Sequence, residues 1–300
     1  MWRRRIKLDP QAGQDAVLLQ VESGIDEALD YASVQGYTCM GIGVGLPGTV
    51  DIQNRRLLFS YNLDWYDIAF DEIWQAKFGL PVYVENDANA AAVGEYYFGI
   101  ARDVKNFIFI FLSSVGLGSG IFIGGRLLRG GNGFAGEIGH MTIDPHGEPC
   151  TCGRLGCWEA MVGPRAIAPR VSSQDLDPAS PLYRLLDGKS ETATFAKIAA
   201  AAQEDDPVAL DVIHYVGETL AAGIANLVTI FNPEMVVLGG ELSLVDGLLL
   251  PVVEQAVKSR VFKHPAEILQ VKMSTHGVNA CIKGAVTLVF DDILRQPSVK

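Results

Sequence analysis

The chain has 300 residues, 49% of them apolar and 20% charged, which leaves room for one large or two medium domains around a sizeable core and excludes a disordered chain. Its 24 basic and 35 acidic side chains give a net charge of −11, which excludes gripping nucleic acid through a general positive field. The longest apolar stretch, Leu220 to Phe231, is broken by Gly223 and Asn226 before it reaches membrane-span length, and Arg3-Arg4-Arg5 lacks the apolar run of a signal peptide. Residues 14 to 35 carry Val17, Leu18, Val21, Ile25 and Leu29 at helical period, with Gly36 as a stop. Tyr37 to Leu46 reads as a buried strand ending at the Pro47-Gly48 turn. Trp65 to Phe78 has helical spacing, and Gly79 closes it. Pro81 to Glu85 is a short strand, followed by a helix to Phe98 that begins at Asn86 or Asp87, both good caps.

Further along, Phe107 to Leu112 and Gly120 to Ile123 are strands around a glycine-rich turn. Gly130 to Trp158 is loop-rich and polar, and Ser172 to Ser190 reads as a surface linker. Helices over about 193–203 and 206–230 lead to a strand at Met235–Leu238. A helix over 245–262, a strand at Ile268–Met273 and a last helix from Cys281 to Leu294 complete the chain. Strands alternating with helices predict an α/β architecture.

Two nucleotide motifs fail on context. Gly43, Gly45 and Gly48 have dinucleotide spacing, but Pro47 and the extended Thr49-Val50-x-Ile52 follow where a helix should open. Gly188-Lys189-Ser190 resembles the end of a phosphate loop, but Tyr183 stands at the required earlier glycine. The cysteines are more informative. His140, Cys150, Cys152 and Cys157 supply three thiolates and an imidazole, a common tetrahedral zinc set with every position filled by protein, so the zinc is expected to be structural. His146 is a rival ligand. Cys39 and Cys281 read as buried small hydrophobes. With no export signal, the expected compartment is the reducing cytoplasm.

The segment Gly133 to Glu159, GFAGEIGHMTIDPHGEPCTCGRLGCWE, resembles the signature of the ROK family (repressors, open reading frames and sugar kinases). GVGLPGTVD at 43–51, NLDW at 62–65, PVYVENDANAAAVGE at 81–95 and NPEMVVLGGELS at 232–243 agree with the family in order. The resemblance implies two α/β domains of the actin-like ATPase (ribonuclease H-like) fold, with sugar in the cleft between them. The smaller would span 1–97 and be completed by the C-terminal helix over about 281–300; the larger would span 98–280. It implies that Asp87 is the general base and that Asn86 binds a neighbouring hydroxyl. Glu137, His140, Glu159, Gly48 and Thr49 are the remaining implied sugar contacts, with Tyr61 and Asn62 nearby. It favours His140 over His146 as the ligand, so that one ring nitrogen holds zinc and the other faces the sugar.

The chain departs from the family's kinases twice. No Asp-x-Gly-x-Thr string occurs, and only Met1 to Asp9 stands where the phosphate-cradling hairpin belongs. The second phosphate loop, Gly-Thr-Gly-x-Gly in the kinases, reads Ser114-Val115-Gly116-Leu117-Gly118. Gly116 and Gly118 are the retained glycines of that loop, and Gly239-Gly240 matches the adenosine-side turn. These features imply the sugar-sensing domain of a NagC/XylR-like regulator with weak or no kinase activity. The alternative is an ATP-dependent hexose kinase of glucokinase or N-acetylmannosamine kinase type, and only then would ATP and magnesium bind. DNA would be reached through a module absent from this chain. The exposed sheet edge left by the missing hairpin, and the family's habit, suggest a homodimer or homotetramer.

Overall fold

The computed structural model describes residues 2–6, 12–61 and 63–295, with side chains to 291. Asn62, Lys7 to Asp9 and residues 296–300, which the expected C-terminal helix would include, lie outside the described residues.

The first third of the chain holds α1 (Gln14–Val34), β1 (Ile42–Leu46), β2 (Thr49–Asp51), β3 (Arg56–Ser60), β4 (Trp65–Ala69), a π-helical turn at Asp71–Gln75, α2 (Ala76–Phe78) and β5 (Val82–Asn86). α3 (Asp87–Phe98) leads into β6 (Phe107–Leu112), β7 (Leu117–Ile123) and β8 (Arg126–Leu127). Helices α4 (Trp158–Val162), α5 (Pro164–Ser172), α6 (Pro181–Leu186), α7 (Phe195–Ala202) and α8 (Pro207–Phe231) follow. The chain closes through β9 (Met235–Gly240), α9 (Asp246–Arg260), α10 (Lys263–Ile268), β10 (Gln270–Met273) and α11 (Ala280–Arg295).

In the first lobe β1 and β5 pair in parallel, and β2-β3-β4 form an antiparallel sheet beside them. Val17 and Leu18 of α1 pack with Leu57, Ile68, Phe70, Trp74 and Val82 in one core. In the second lobe a five-stranded sheet runs β10-β9-β6-β7-β8, with β10, β9 and β6 parallel and β7 and β8 antiparallel. Every β6 residue is buried because both sheet faces are covered. Phe107, Phe109 and Phe111 pack with the alanines of α3, while Ile108, Ile110 and Leu112 face the core shared with α8 and α9.

α8 has 25 residues and is long and apolar enough to cross a membrane, but it is buried among the second lobe's core side chains. Pro207 opens it, and the Asp206 carboxylate accepts from the Val208 and Ala209 amides at 3.0 Å each. Gly223 leaves room for the Trp158 indole: a Cβ there would lie 2.3 Å from Trp158 Cε2.

The glycines of the failed dinucleotide motif answer to helix packing. A Cβ at Gly43 would lie 2.1 Å from the Ala285 carbonyl oxygen, and one at Gly45 2.3 Å from Cys281 Sγ, so both let α11 lie close across β1.

Three expectations change. Residues 65–69 form a strand, not a helix: Trp65, Tyr66 and Ile68 are good strand formers, and pairing with β3 at Ser60↔Trp65 and Leu57↔Ile68 overrides the helical spacing. Ser172 to Ser190 is not a free linker, because it contains α6, capped by Ser180 and anchored by fully buried Leu182 and Leu186. The strand expected from Tyr37 begins only at Ile42, with Tyr37 and Met40 exposed.

Candidate functional site

A cleft of about 590 Å³ opens where the ends of β1, β5, β6 and β7 approach one another. Gly48, Thr49, Asn86, Asp87, Glu137, His140 and Glu159 all line it, as do Gly116 and Gly118. Gly239 and Gly240 are not in its wall. They are buried at the end of β9, Gly239 against the Phe109 ring and Gly240 at φ +69 against the Leu112 carbonyl. Their side-chain-free backbone therefore answers to packing.

The β5–α3 junction sets the carboxylate. Asn86, not Asp87, caps α3: its Oδ1 accepts from the Ala88 and Asn89 amides at 3.0 Å each. Its Nδ2 donates to the Gly48 carbonyl at 3.0 Å, which leaves one amide hydrogen for a ligand. Asn86 does the capping, so the Asp87 carboxyl accepts from the Ala88 amide at 2.8 Å and from its own amide, and otherwise faces the cleft. Burial, helped by the Glu159 charge, pushes its pKa up to about 6. Burial and the charges of Asp87 and Glu159 raise Glu137 to about 7, although water reaching it from the cleft mouth screens part of this. Glu159 is held by the Leu117 amide, which donates to its Oε2 at 2.8 Å. It follows the fully buried Trp158, whose indole donates to the Thr219 carbonyl at 3.1 Å.

Ligand atoms of His140, Cys150, Cys152 and Cys157 all lie within 4.8 Å of one another. His140 turns Nδ1 towards Cys150 Sγ, 3.5 Å away, so Nε2 is the nitrogen left for the cleft. His146 is outside this group. Burial opposes ionisation of Cys152, but hydrogen bonds from the Arg154 side chain and backbone and from Cys150 and Cys157 together outweigh it and bring the thiol down to about 7. Burial and the neighbouring thiols push Cys157 up to about 12. Three thiols this close repel as thiolates, and a tetrahedral dication with soft ligands fits them. Zinc held there would pin the loop from 140 to 157 and supply no reacting atom.

The loop between β6 and β7 is tied back on itself. Ser113 Oγ accepts from the Val115 and Gly116 amides at 3.2 and 3.3 Å, and the Ser113 amide donates to the Gly116 carbonyl at 3.0 Å. The amides of Ser113, Val115 and Gly116 therefore already have acceptors within the turn.

Sequence reasoning missed the aromatic wall. Phe59 and Phe134 line the cleft, with ring centroids 6.5 Å apart, and Tyr61 stands 4.8 Å from Phe59. Phe134 is half-buried and sits inside the quoted motif between Gly133 and Ala135, and an aromatic set in a glycine-rich polar loop is the signal that could have found it.

The chain is 36% identical over 258 residues to the xylose repressor of Caldicellulosiruptor bescii, covering 86% of this chain and 64% of that protein. It therefore spans less than two thirds of that repressor's length. Among solved structures, a ROK family glucokinase from Streptomyces griseus in complex with glucose and AMPPNP superposes with a TM-score of 0.80 at 34% identity, covering 90% of this chain and 88% of that one. A ROK family transcriptional regulator, a homolog of the E. coli MLC protein, superposes at 0.78 with 31% identity, covering 94% and 71%. The architecture is the actin-like ATPase fold of these sugar kinases. The ROK family model matches residues 8–292, and with this cleft and these relatives the chain belongs to the ROK family.

Proposed function

We propose that the chain is the sugar-binding, effector-sensing part of a NagC/XylR-like transcriptional regulator, with weak or no kinase activity. The observation that carries this reading is the closed Ser113–Gly116 turn beside an otherwise complete sugar cleft. Asp87, Glu137 and Glu159 accept from sugar hydroxyls. His140 Nε2 donates to one, and Gly48, Thr49 and Asn86 bound the ring from the first lobe. Phe59 and Phe134 offer apolar faces to its C–H groups. Zinc on His140 and the three cysteines fixes the imidazole tautomer and aims it. Xylose is the first sugar to test, because a xylose repressor is among the relatives, and glucose the second.

We assign 1–97 with the C-terminal helix to one domain and 98–280 to the other, so that the sugar sits between bodies whose closure reports it. DNA contact belongs to another module, since a net charge of −11 gives this one no general attraction for phosphates. The assembly is a cytoplasmic homodimer or homotetramer.

The kinase reading has one specific support: a carboxylate with a pKa of about 6 at the β5–α3 junction suits a general base. An ADP-release assay with Mg-ATP and a pentose and hexose panel decides between them. The expected result is a rate indistinguishable between the wild type and Asp87→Asn. Sugar-dependent ADP release that Asp87→Asn abolishes would instead make the chain a kinase.

A further inference from the structure

A second cavity, of about 660 Å³, lies across β5 from the sugar cleft. Tyr83, Val84 and Glu85 of β5 line it, whereas Asn86 and Asp87 at the end of the same strand line the cleft. Its walls come from both lobes: Arg55 from the β2–β3 turn, Arg126 and Arg129 from β8 and the residues after it, and Tyr96 from α3.

The charge here runs against that of the chain. Three arginines meet two carboxylates in a protein where acidic side chains outnumber basic ones. Glu85 is only 2% exposed, and Arg129 Nη2 stands 2.7 Å from its Oε2, an ion pair without hydrogen-bond geometry that leaves Oε2 with no hydrogen-bond partner among the described residues. The other carboxylate, Asp291, accepts from the Tyr97 hydroxyl at 3.3 Å. Arg129 Nη1 is buried with no hydrogen-bond partner among the described residues. A buried guanidinium N–H left unpaired is costly, and a ligand acceptor would satisfy it. Arg126 is exposed at the rim and makes no ion pair among the described residues. Arg55 lies over the Tyr83 ring, 5.5 Å from its centroid. Tyr96 is held in place by stacking on Phe122 at 4.6 Å.

We infer that this cavity binds a phosphate monoester carried on a ring. Arg126 and Arg129 take the phosphate through charge-assisted hydrogen bonds. The ring lies against the tyrosine wall, with Arg55 closing the first-lobe side. The arginines supply fixed cations and the tyrosines a flat apolar surface, so neither a bare anion nor a neutral ring uses the whole site.

Calorimetric titration of the full chain with phenyl phosphate, inorganic phosphate and phenol tests this. The expected result is saturable binding of one phenyl phosphate per chain, weaker binding of inorganic phosphate and none of phenol. Arg126→Ala should weaken phenyl phosphate about tenfold, and Arg126→Glu should abolish it. Arg126 is exposed, so neither change threatens the fold. Asp87→Asn, on the far side of β5, should leave the affinity unchanged. No saturable binding of phenyl phosphate, or equal binding of phenol, would overturn the proposal. So would binding strengthened by Asp87→Asn, which relieves a like charge, but untouched by Arg126→Ala, which would place the anion in the sugar cleft. These readouts need no sugar, so they fail or succeed apart from the proposed effector role.

Discussion

Replacing His140 with alanine removes both metal and sugar. The imidazole has two separate tasks: Nδ1 points to the cysteines, and Nε2 is left for the cleft. Metal analysis should fall from about one zinc per chain towards zero, because a four-ligand structural site does not hold its ion well with three. Sugar affinity should fall at least about tenfold, the loss of one well-placed hydrogen bond and of the loop that aims it. Cys152→Ser separates the two tasks. It keeps the imidazole and removes a metal ligand, and if the metal organises the site, sugar binding weakens with zinc content. Tight sugar binding in zinc-free Cys152→Ser protein would show that the cleft is formed without the metal.

Exchange of Asp87 for asparagine should make the protein more stable and less able to bind sugar. Burial holds the folded-state pKa at about 6, above the ordinary 3.8. The folded chain therefore binds this proton more tightly than the unfolded chain does. The group favours folding below about pH 4, and that advantage is lost as the pH rises through about 6. Asparagine keeps the acceptor for the Ala88 amide and carries no charge. The gain is expected to be about 1–2 kcal/mol above pH 7, discounted for water in the cleft, and to fade towards pH 4. Thermal melts of the two proteins across this range check the sign. The same exchange removes the anionic acceptor and should weaken sugar binding about tenfold. A variant less stable than the wild type at pH 8 would mean that the carboxylate is held by contacts that outweigh its burial.

This trade of stability for a site is visible only in part from the sequence. The metal loop was legible because its ligands sit close together, from His140 to Cys157, among glycines that let the loop wrap. The Asn86-Asp87 pair was legible as a strand-to-helix junction, but which of the two caps the helix was not. That depends on Gly48, which approaches from another strand and takes the Asn86 amide. Trp65 to Ala69 misled because apolar residues three and four apart suit either element until β3 supplies a pairing partner. α6 was hidden in a polar stretch, since it is short and reaches the core through Leu182 and Leu186, with Leu185 partly buried against it. Gly239 and Gly240 kept the family's spacing, yet the structure uses them for contact with Phe109 and Leu112. The arginine-lined cavity had no local signal at all, because Arg55 and Arg126 meet only when both lobes are folded.

The departure from the kinases' phosphate loop was legible as a substitution but not as a loop geometry. The sequence shows Val115 where the family's kinases have threonine, and Ser114 where they have glycine. The structure adds that Ser113 folds back on the turn and occupies its amides. A phosphate that recruited those two amides would have to displace the Ser113 hydroxyl, at about 1 kcal/mol for each amide.

The measurement closest to the central claim is a calorimetric titration of zinc-loaded protein with xylose, glucose and N-acetylated hexoses. The account predicts saturable binding of one sugar per chain, lost in Glu159→Ala, with the fold intact by circular dichroism. No heat from any sugar in protein that carries its full metal, or binding untouched by Glu159→Ala, would contradict it.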